Sequence, residues 1–167
     1  MKRIWCLLLA LCLCLCLSAS AEETPVPAPF DNPREIHLAA AGLMLYAPGD
    51  LETLEADECA YDSGFRFDCF NDTFDFTLYV NDSRDMNLKD YAAFFADRNH
   101  MKAEAETVNG YPCYRLTDPA KTDGSFTLLI ADTTEDDTPP VYQLAFMCDG
   151  DKDVKLANDI LSTIAPY

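Results

Sequence analysis

Three carboxylates at alternate positions, Asp149, Asp151 and Asp153, stand in the run Asp149-Gly-Asp151-Lys-Asp153. Hard cations such as calcium need several oxygens within reach of one another, and calcium loops begin in this way. Beyond Asp153 the pattern departs from such a loop: Val154 stands where glycine is needed, and Ile160 where a bidentate glutamate belongs. The competing reading is a helix start. There Gly150 makes the turn and one aspartate caps the helix, its neighbours favoured at the positive end of the dipole. Asp149, Asp151 and Asp153 are therefore the candidate calcium ligands, with a structural alternative for each.

Cysteine offers thiolate, disulfide or metal chemistry, and the chain has 8 of them. Cys6, Cys12, Cys14 and Cys16 lie in an apolar N-terminal run, while Cys59, Cys69, Cys113 and Cys148 follow it. An even number in an exported domain reads as two disulfides. Of the three connectivities open to four cysteines, Cys59–Cys69 across Ser63-Gly64 is favoured, leaving Cys113–Cys148. The absence of C-x-x-C, and of histidine at finger-like distance, speaks against a zinc site or a thioredoxin-type redox centre.

Acid–base catalysis has little to work with. Of the two histidines, His37 alternates with Ile36 and Leu38 and should face solvent. His100 should follow a helix end, where a cation complements the dipole. No G-x-S-x-G, H-E-x-x-H or phosphate-binding glycine loop is present. Carboxylates are abundant, so a small hydrolase using a carboxylate pair stands as an alternative. Such a pair needs fixed separation in a cleft, and the alternation of the aromatic residues commits most of them to a core.

The N-terminus reads as an export signal. Lys2 and Arg3 precede an apolar run, Ile4 to Leu17, and then Ser18-Ala19-Ser20-Ala21, with cleavage expected after Ala21. The run is shorter than the roughly 20 residues of a bilayer-spanning helix. A leucine before each of Cys12, Cys14 and Cys16 departs from a lipidation motif. With the signal removed, ten basic side chains face 29 acidic ones, a formal charge of −19. Nucleic acid and anionic lipid bind through Lys and Arg and are poor partners for such a chain. A protein, a basic component of the cell envelope or a cation fits better. The expected location is secreted or on the exterior of the envelope of a bacterial cell.

The elements that must position these residues can be read from periodicity. Residues 22–33 carry Pro25, Pro27, Pro29 and Pro33, which predicts an extended spacer. From 34 to 167 the pattern is that of one domain. Period-two alternation predicts strands around Ile36–Leu38, Leu43–Leu45, Phe65–Cys69, Phe74–Val80, Phe126–Ile130 and Tyr142–Cys148. Phe65, Phe67 and Cys69 should share one face. Asn109-Gly110 predicts a hairpin turn between Glu104–Val108 and Tyr111–Thr117. Asn71-Asp72 predicts another turn. Helical spacing of Leu88, Tyr91, Ala92 and Phe95 after Asn87, with Asp90 as a capping acid, predicts a helix to about Asn99. A second helix is expected from about Asp153 to Ile164, and a short one over Leu51 to Ala56. The fold class is α+β, a mostly antiparallel sheet packed by helices.

This order resembles the PsbP-like fold, an α/β/α sandwich. The resemblance is carried by Gly42-Leu-Met-Leu-Tyr-Ala-Pro48, by Asn109-Gly-Tyr-Pro112, and by Val141-Tyr-Gln-Leu-Ala-Phe146 before Ile160-Leu-Ser-Thr-Ile164. It covers about residues 34–167. It implies a binding or assembly protein and brings no catalytic residue; the four later cysteines are no part of it. The functional expectation is an exported, non-enzymatic binding module, with a calcium-stabilised extracellular domain as the alternative.

Overall fold

A computed structural model describes residues 28–57, 62–131 and 139–166. Residues 1–21, expected to be an export signal, the first half of the proline-rich segment, Cys59 and the acidic run Glu135-Asp136-Asp137 lie outside the described residues.

The first pair of strands, β1 (Arg34–Leu38) and β2 (Leu43–Ala47), is joined by a 3₁₀ turn over Ala39–Ala41. Gly42 closes that turn in the left-handed region at φ 62°. With the short C-terminal β10 (Ala165–Pro166) they form a three-stranded sheet in the order β1-β2-β10. The remaining strands are β3 (Glu52–Glu55), β4 (Phe65–Phe70), β5 (Asp75–Asn81), β6 (Lys102–Val108), β7 (Tyr111–Thr117), β8 (Phe126–Ile130) and β9 (Val141–Met147). They build one antiparallel sheet in the order β3-β4-β5-β9-β8-β7-β6. Helix α1 (Leu88–Asn99) lies against β6, β7 and β8, and helix α2 (Asp151–Leu161) contacts β2. Among the described residues no helix is long and apolar enough to cross a membrane.

The sheet divides the core in two, because successive side chains in a strand point to opposite faces. On one face Phe76, Leu78, Leu128, Leu144 and Phe146 meet the small sheet (Leu38, Leu45) and α2 (Ala157, Ile160). Three phenylalanine rings centre this layer: Phe146 stacks on Phe76 at 4.8 Å and lies 4.9 Å from Phe126. On the other face Leu116, Leu129 and Val141 receive Leu88, Tyr91, Ala92 and Ala96 of α1. All five residues of β8 are buried, since this strand is covered on both sides. The result is the expected α+β fold with helices on both faces.

Local chemistry explains the ends of the elements. Asn87 caps α1 by accepting from the Asp90 backbone N–H at 2.9 Å, and its amide reaches back to the Asp90 carboxylate at 3.0 Å. His100 ends the helix in the left-handed conformation at φ 57°. Asn109 and Gly110 take φ 50° and 89°, the double positive φ that a two-residue hairpin turn requires. The Asn109 amide also donates to the Ser162 and Ile164 carbonyls, tying this turn to the end of α2.

Two expectations are corrected. Leu51 to Ala56 is not a helix: Glu52–Glu55 adds to the sheet as its edge strand, where β4 offers backbone partners. Phe65 does not share a face with Phe67 and Cys69, because the register shifts between Phe65 and Phe67. A bulge of this kind inserts one residue and moves the preceding side chain to the opposite face. Contacts also reach back before Arg34. Phe30 packs against the core, and the Asn32 carbonyl oxygen sits where a Cβ at Gly49 would come within 1.9 Å of it. Gly49→Ala must push this N-terminal segment away and is expected to lower stability by about 1–3 kcal/mol. Urea unfolding reads this directly; an unchanged midpoint would contradict the contact.

Candidate functional site

The residues singled out from the sequence come first. Asp153 is buried, in the first turn of α2, and both its oxygens are engaged. Oδ2 accepts from the Asp149 backbone N–H at 2.9 Å, and Oδ1 lies 3.3 Å from the Thr73 hydroxyl. Asp149 and Asp151 are exposed. The three carboxylates do not converge, and among the described residues no group of three or more His, Cys, Asp or Glu side chains could hold a metal ion. The first turn of α2 is thus built as a helix start, with Asp153 satisfying a backbone donor outside it.

The expected pairing of Cys113 with Cys148 is also corrected. Cys113 sits opposite Ile130 on β8, which sits opposite Tyr142 on β9. From Tyr142 to Cys148 the chain climbs about 20 Å at about 3.3 Å per residue, whereas a disulfide needs Cα atoms within about 7 Å. Cys69, Cys113 and Cys148 are all buried with free thiols. Burial first, then the charge of Asp68, pushes the Cys69 thiol up to about 12. Burial followed by Glu106 takes Cys113 to about 11, and burial followed by Asp153 takes Cys148 to about 11. Thiols so held are protonated and unreactive. Cys59 lies outside the described residues.

His37 is exposed beside Glu35, and His100 is exposed at the end of α1. The two belong to different regions of the fold and form no pair.

The site that sequence reasoning missed is the part of the large sheet that α1 leaves open. Residues opposite one another in register share a face, so its rows can be written out. Glu52, Phe70, Asp75 and Met147 form one row; Leu54, Asp68, Thr77 and Ala145 form the next; Phe65, Tyr79 and Gln143 form the third. Leu54 and Met147, each 57% exposed, are the exposed large hydrophobic side chains of the described residues, and both belong to this face. Phe65, Phe70 and Tyr79 are half-buried there, Phe65 and Tyr79 packed edge to face at 5.8 Å.

A carboxylate pair lies in the middle of these apolar groups. The Thr77 hydroxyl is 2.9 Å from the Asp75 carboxylate and 3.4 Å from that of Asp68. Burial, then the charge of Asp75 and a hydrogen bond with it, push Asp68 from its ordinary 3.8 up to about 6. Two carboxylates this close hold one proton between them more readily than two charges. Chemically the face can offer negative charge framed by apolar and aromatic surface, and no described element is packed over it.

A titration follows. A carboxyl whose pKa is raised on folding favours the folded state while both states are protonated. That advantage is lost as pH rises through about 6. Asp68→Asn is expected to flatten this pH dependence and to leave the variant more stable than the native chain at neutral pH, by roughly 1 kcal/mol after discounting for solvent screening. Urea unfolding on either side of the window checks this; parallel pH profiles for the two chains would contradict it.

No protein-family profile matches the sequence. No curated protein matches it either. Among solved structures the chain is similar to the cyanobacterial PsbP (CyanoP) of Synechocystis, with 10% identity and a TM-score of 0.48, covering 90% of this chain and 99% of that one. It is also similar to the Ran-binding protein Mog1p of Saccharomyces cerevisiae, with 12% identity and a TM-score of 0.45, covering 81% of this chain and 95% of that one. The likeness to the PsbP-like group is therefore one of fold alone, and no residue role, partner or activity comes across with it.

Proposed function

We propose that the protein is an exported, non-enzymatic binding or assembly module that receives a protein partner on the open face of its large sheet. The observation that carries this reading is the uncovered area where Leu54 and Met147 stand exposed beside the Asp68–Asp75 pair. Exposed apolar surface rimmed by charge marks interaction sites. A polar sheet face would be the inexpensive solution if it served solvation alone.

The chemistry of this face favours, as partner, a protein segment with basic and apolar side chains. Cations would pair with Asp68, Asp75 and Glu52, while apolar groups would cover Leu54, Phe70 and Met147. The formal charge of −17 steers a basic partner towards the domain and repels acidic ones. Export rests on the pattern of residues 1–21, so the partner belongs to the cell envelope or to the exterior. Leu54→Asp combined with Met147→Asp tests the reading. Both side chains are exposed, so folding is retained while partner capture from envelope extract is lost; capture at the native level would overturn the proposal.

A further inference from the structure

The open face ends, beside α1, in a recess. In register, one row of side chains crosses the sheet: Leu54, Asp68, Thr77, Ala145, Thr127 and Leu116. Leu116 lies in the cluster under α1. The two positions before it, Ala145 and Thr127, are small, and α1 ends at Asn99. Ala145 and Thr127 line a cavity of about 190 Å³ together with Met101, Met147, and Asp118 and Lys121 of the loop between β7 and β8. It is smaller than the roughly 300–1,000 Å³ of small-molecule sites and suits a single large side chain.

The lining favours an apolar occupant. Met101 is half-buried and Met147 is 57% exposed. Unbranched thioether chains adapt their shape to an incoming group and make favourable contacts with aromatic rings. Thr127 is buried. Asp118 already accepts from the Ala120 backbone N–H at 2.8 Å, and the Lys121 side chain is exposed to water.

Along the same row stands the carboxylate pair. Asp68 on β4 is two strands from Ala145 on β9, about 10 Å at roughly 4.8 Å per strand. The Thr77 hydroxyl between them lies 3.4 Å from the Asp68 carboxylate and 2.9 Å from that of Asp75. An apolar recess and a pair of negative groups are thus held at a fixed distance on one rigid sheet. Resting on the open-face reading, we infer that the partner is recognised through an extended segment. It inserts one large apolar side chain between Met101 and Met147, over Ala145 and Thr127, while a lysine or arginine two residues away reaches Asp68 and Asp75. Side chains two residues apart in an extended chain point the same way and stand about 7 Å apart. The long stem of the basic residue spans the remainder.

The test is an amide chemical-shift titration of the folded protein with the capped tripeptide acetyl-Phe-Ala-Lys-amide. Acetyl-Phe-Ala-Ala-amide and acetyl-Ala-Ala-Lys-amide serve as probes of each half. Saturable shifts are expected with Phe-Ala-Lys at Met101, Thr127 and Ala145 and, at the same midpoint, at Asp68, Asp75 and Thr77. Each single-function peptide should bind about tenfold more weakly. Ala145→Leu fills the recess and Asp75→Asn removes one charge; each should weaken Phe-Ala-Lys binding about tenfold while the rest of the spectrum stays in place. Three results would overturn the inference: no saturable shift with Phe-Ala-Lys, a single-function peptide matching it, or both variants titrating like the native protein. Capture from envelope extract separates the two proposals. If it is lost in Leu54→Asp with Met147→Asp but kept in Ala145→Leu, the recess is refuted and the open face stands; the peptide titration needs no partner and decides the recess even where capture fails.

Discussion

Phe146→Ala is expected to be among the most damaging single substitutions in the protein, at about 3–5 kcal/mol. Its side chain is 1% exposed and fills the centre of the layer between the large sheet, the small sheet and α2. It stacks on Phe76 at 4.8 Å, meets Phe126 at 4.9 Å and reaches Phe74 at 6.3 Å. Truncation removes the ring's transfer free energy and leaves a cavity lined by three other rings, which cannot close over it without leaving their own positions. The melting temperature should fall by about 10 °C or more. The next residue is the control. Met147 points to the opposite face and is 57% exposed, so Met147→Ala should change stability by no more than about 0.5 kcal/mol. Equal losses at both positions would mean that the two faces of β9 are wrongly assigned.

Leu54→Asp with Met147→Asp carries the second large effect, on binding rather than on stability. Apolar anchors at the centre of an interface contribute most of its energy, and losing one or two of them costs about 2 kcal/mol or more, which is a factor of roughly 30 in affinity. Two further negative charges on a face that already holds Glu52, Asp68 and Asp75 reduce the affinity for an apolar segment. They act in the opposite sense on purely electrostatic attraction of a basic one. Apolar burial dominates in this account, so affinity falls by this factor in spite of the added charge, and affinity at the native level would overturn it. The melting temperature should stay within a few degrees of the native value, because neither side chain is part of a core cluster. Added salt should weaken native binding, since the acidic pair is partly open to solvent.

Much of the fold was legible because several elements carry their own signals. The Asn87 cap, the Leu88-Tyr91-Ala92-Phe95 spacing and the end at His100 define α1 as it stands. The Asn109-Gly110 turn requires positive φ at both positions, and it gives β7 its observed start at Tyr111. The edge strand β3 was not legible. All four of its residues are exposed, so no period-two pattern marks it, and it exists because β4 has free backbone groups on that side. The Arg66 bulge was hidden for a related reason: a bulge is set by how two strands fit, and a single strand's alternation does not report it.

The site was legible in part. Asp68 stands between Phe67 and Cys69, and Asp75 between Phe74 and Phe76, so each falls on the side of its strand away from the core. Yet the Asn71-Asp72 turn held the missing signal. The Asn71 side chain accepts from the Thr73 and Phe74 backbone N–H groups, which fixes the hairpin and places Phe70 opposite Asp75 and Asp68 opposite Thr77. Counting back from that turn brings the two carboxylates together. What no local pattern could give was the open face itself, since it depends on α1 covering β6, β7 and β8 and stopping there. The Asp149-Asp151-Asp153 run shows a different limit of local pattern. Alternate spacing suggested convergence, but a helix starting at Asp151 turns each side chain by about 100° and spreads the carboxylates apart.

The central claim is that the partner docks on the open face, and site-specific photocrosslinking tests it most directly. A photoreactive residue would be placed in turn at Leu54, at Met147 and, as control, at Lys155 on the outer side of α2. Each folded protein would be exposed to envelope extract and irradiated. The account predicts one and the same adduct from positions 54 and 147, absent from position 155 and weakened by salt. Adducts of equal strength from all three positions, or an adduct from position 155 alone, would contradict it.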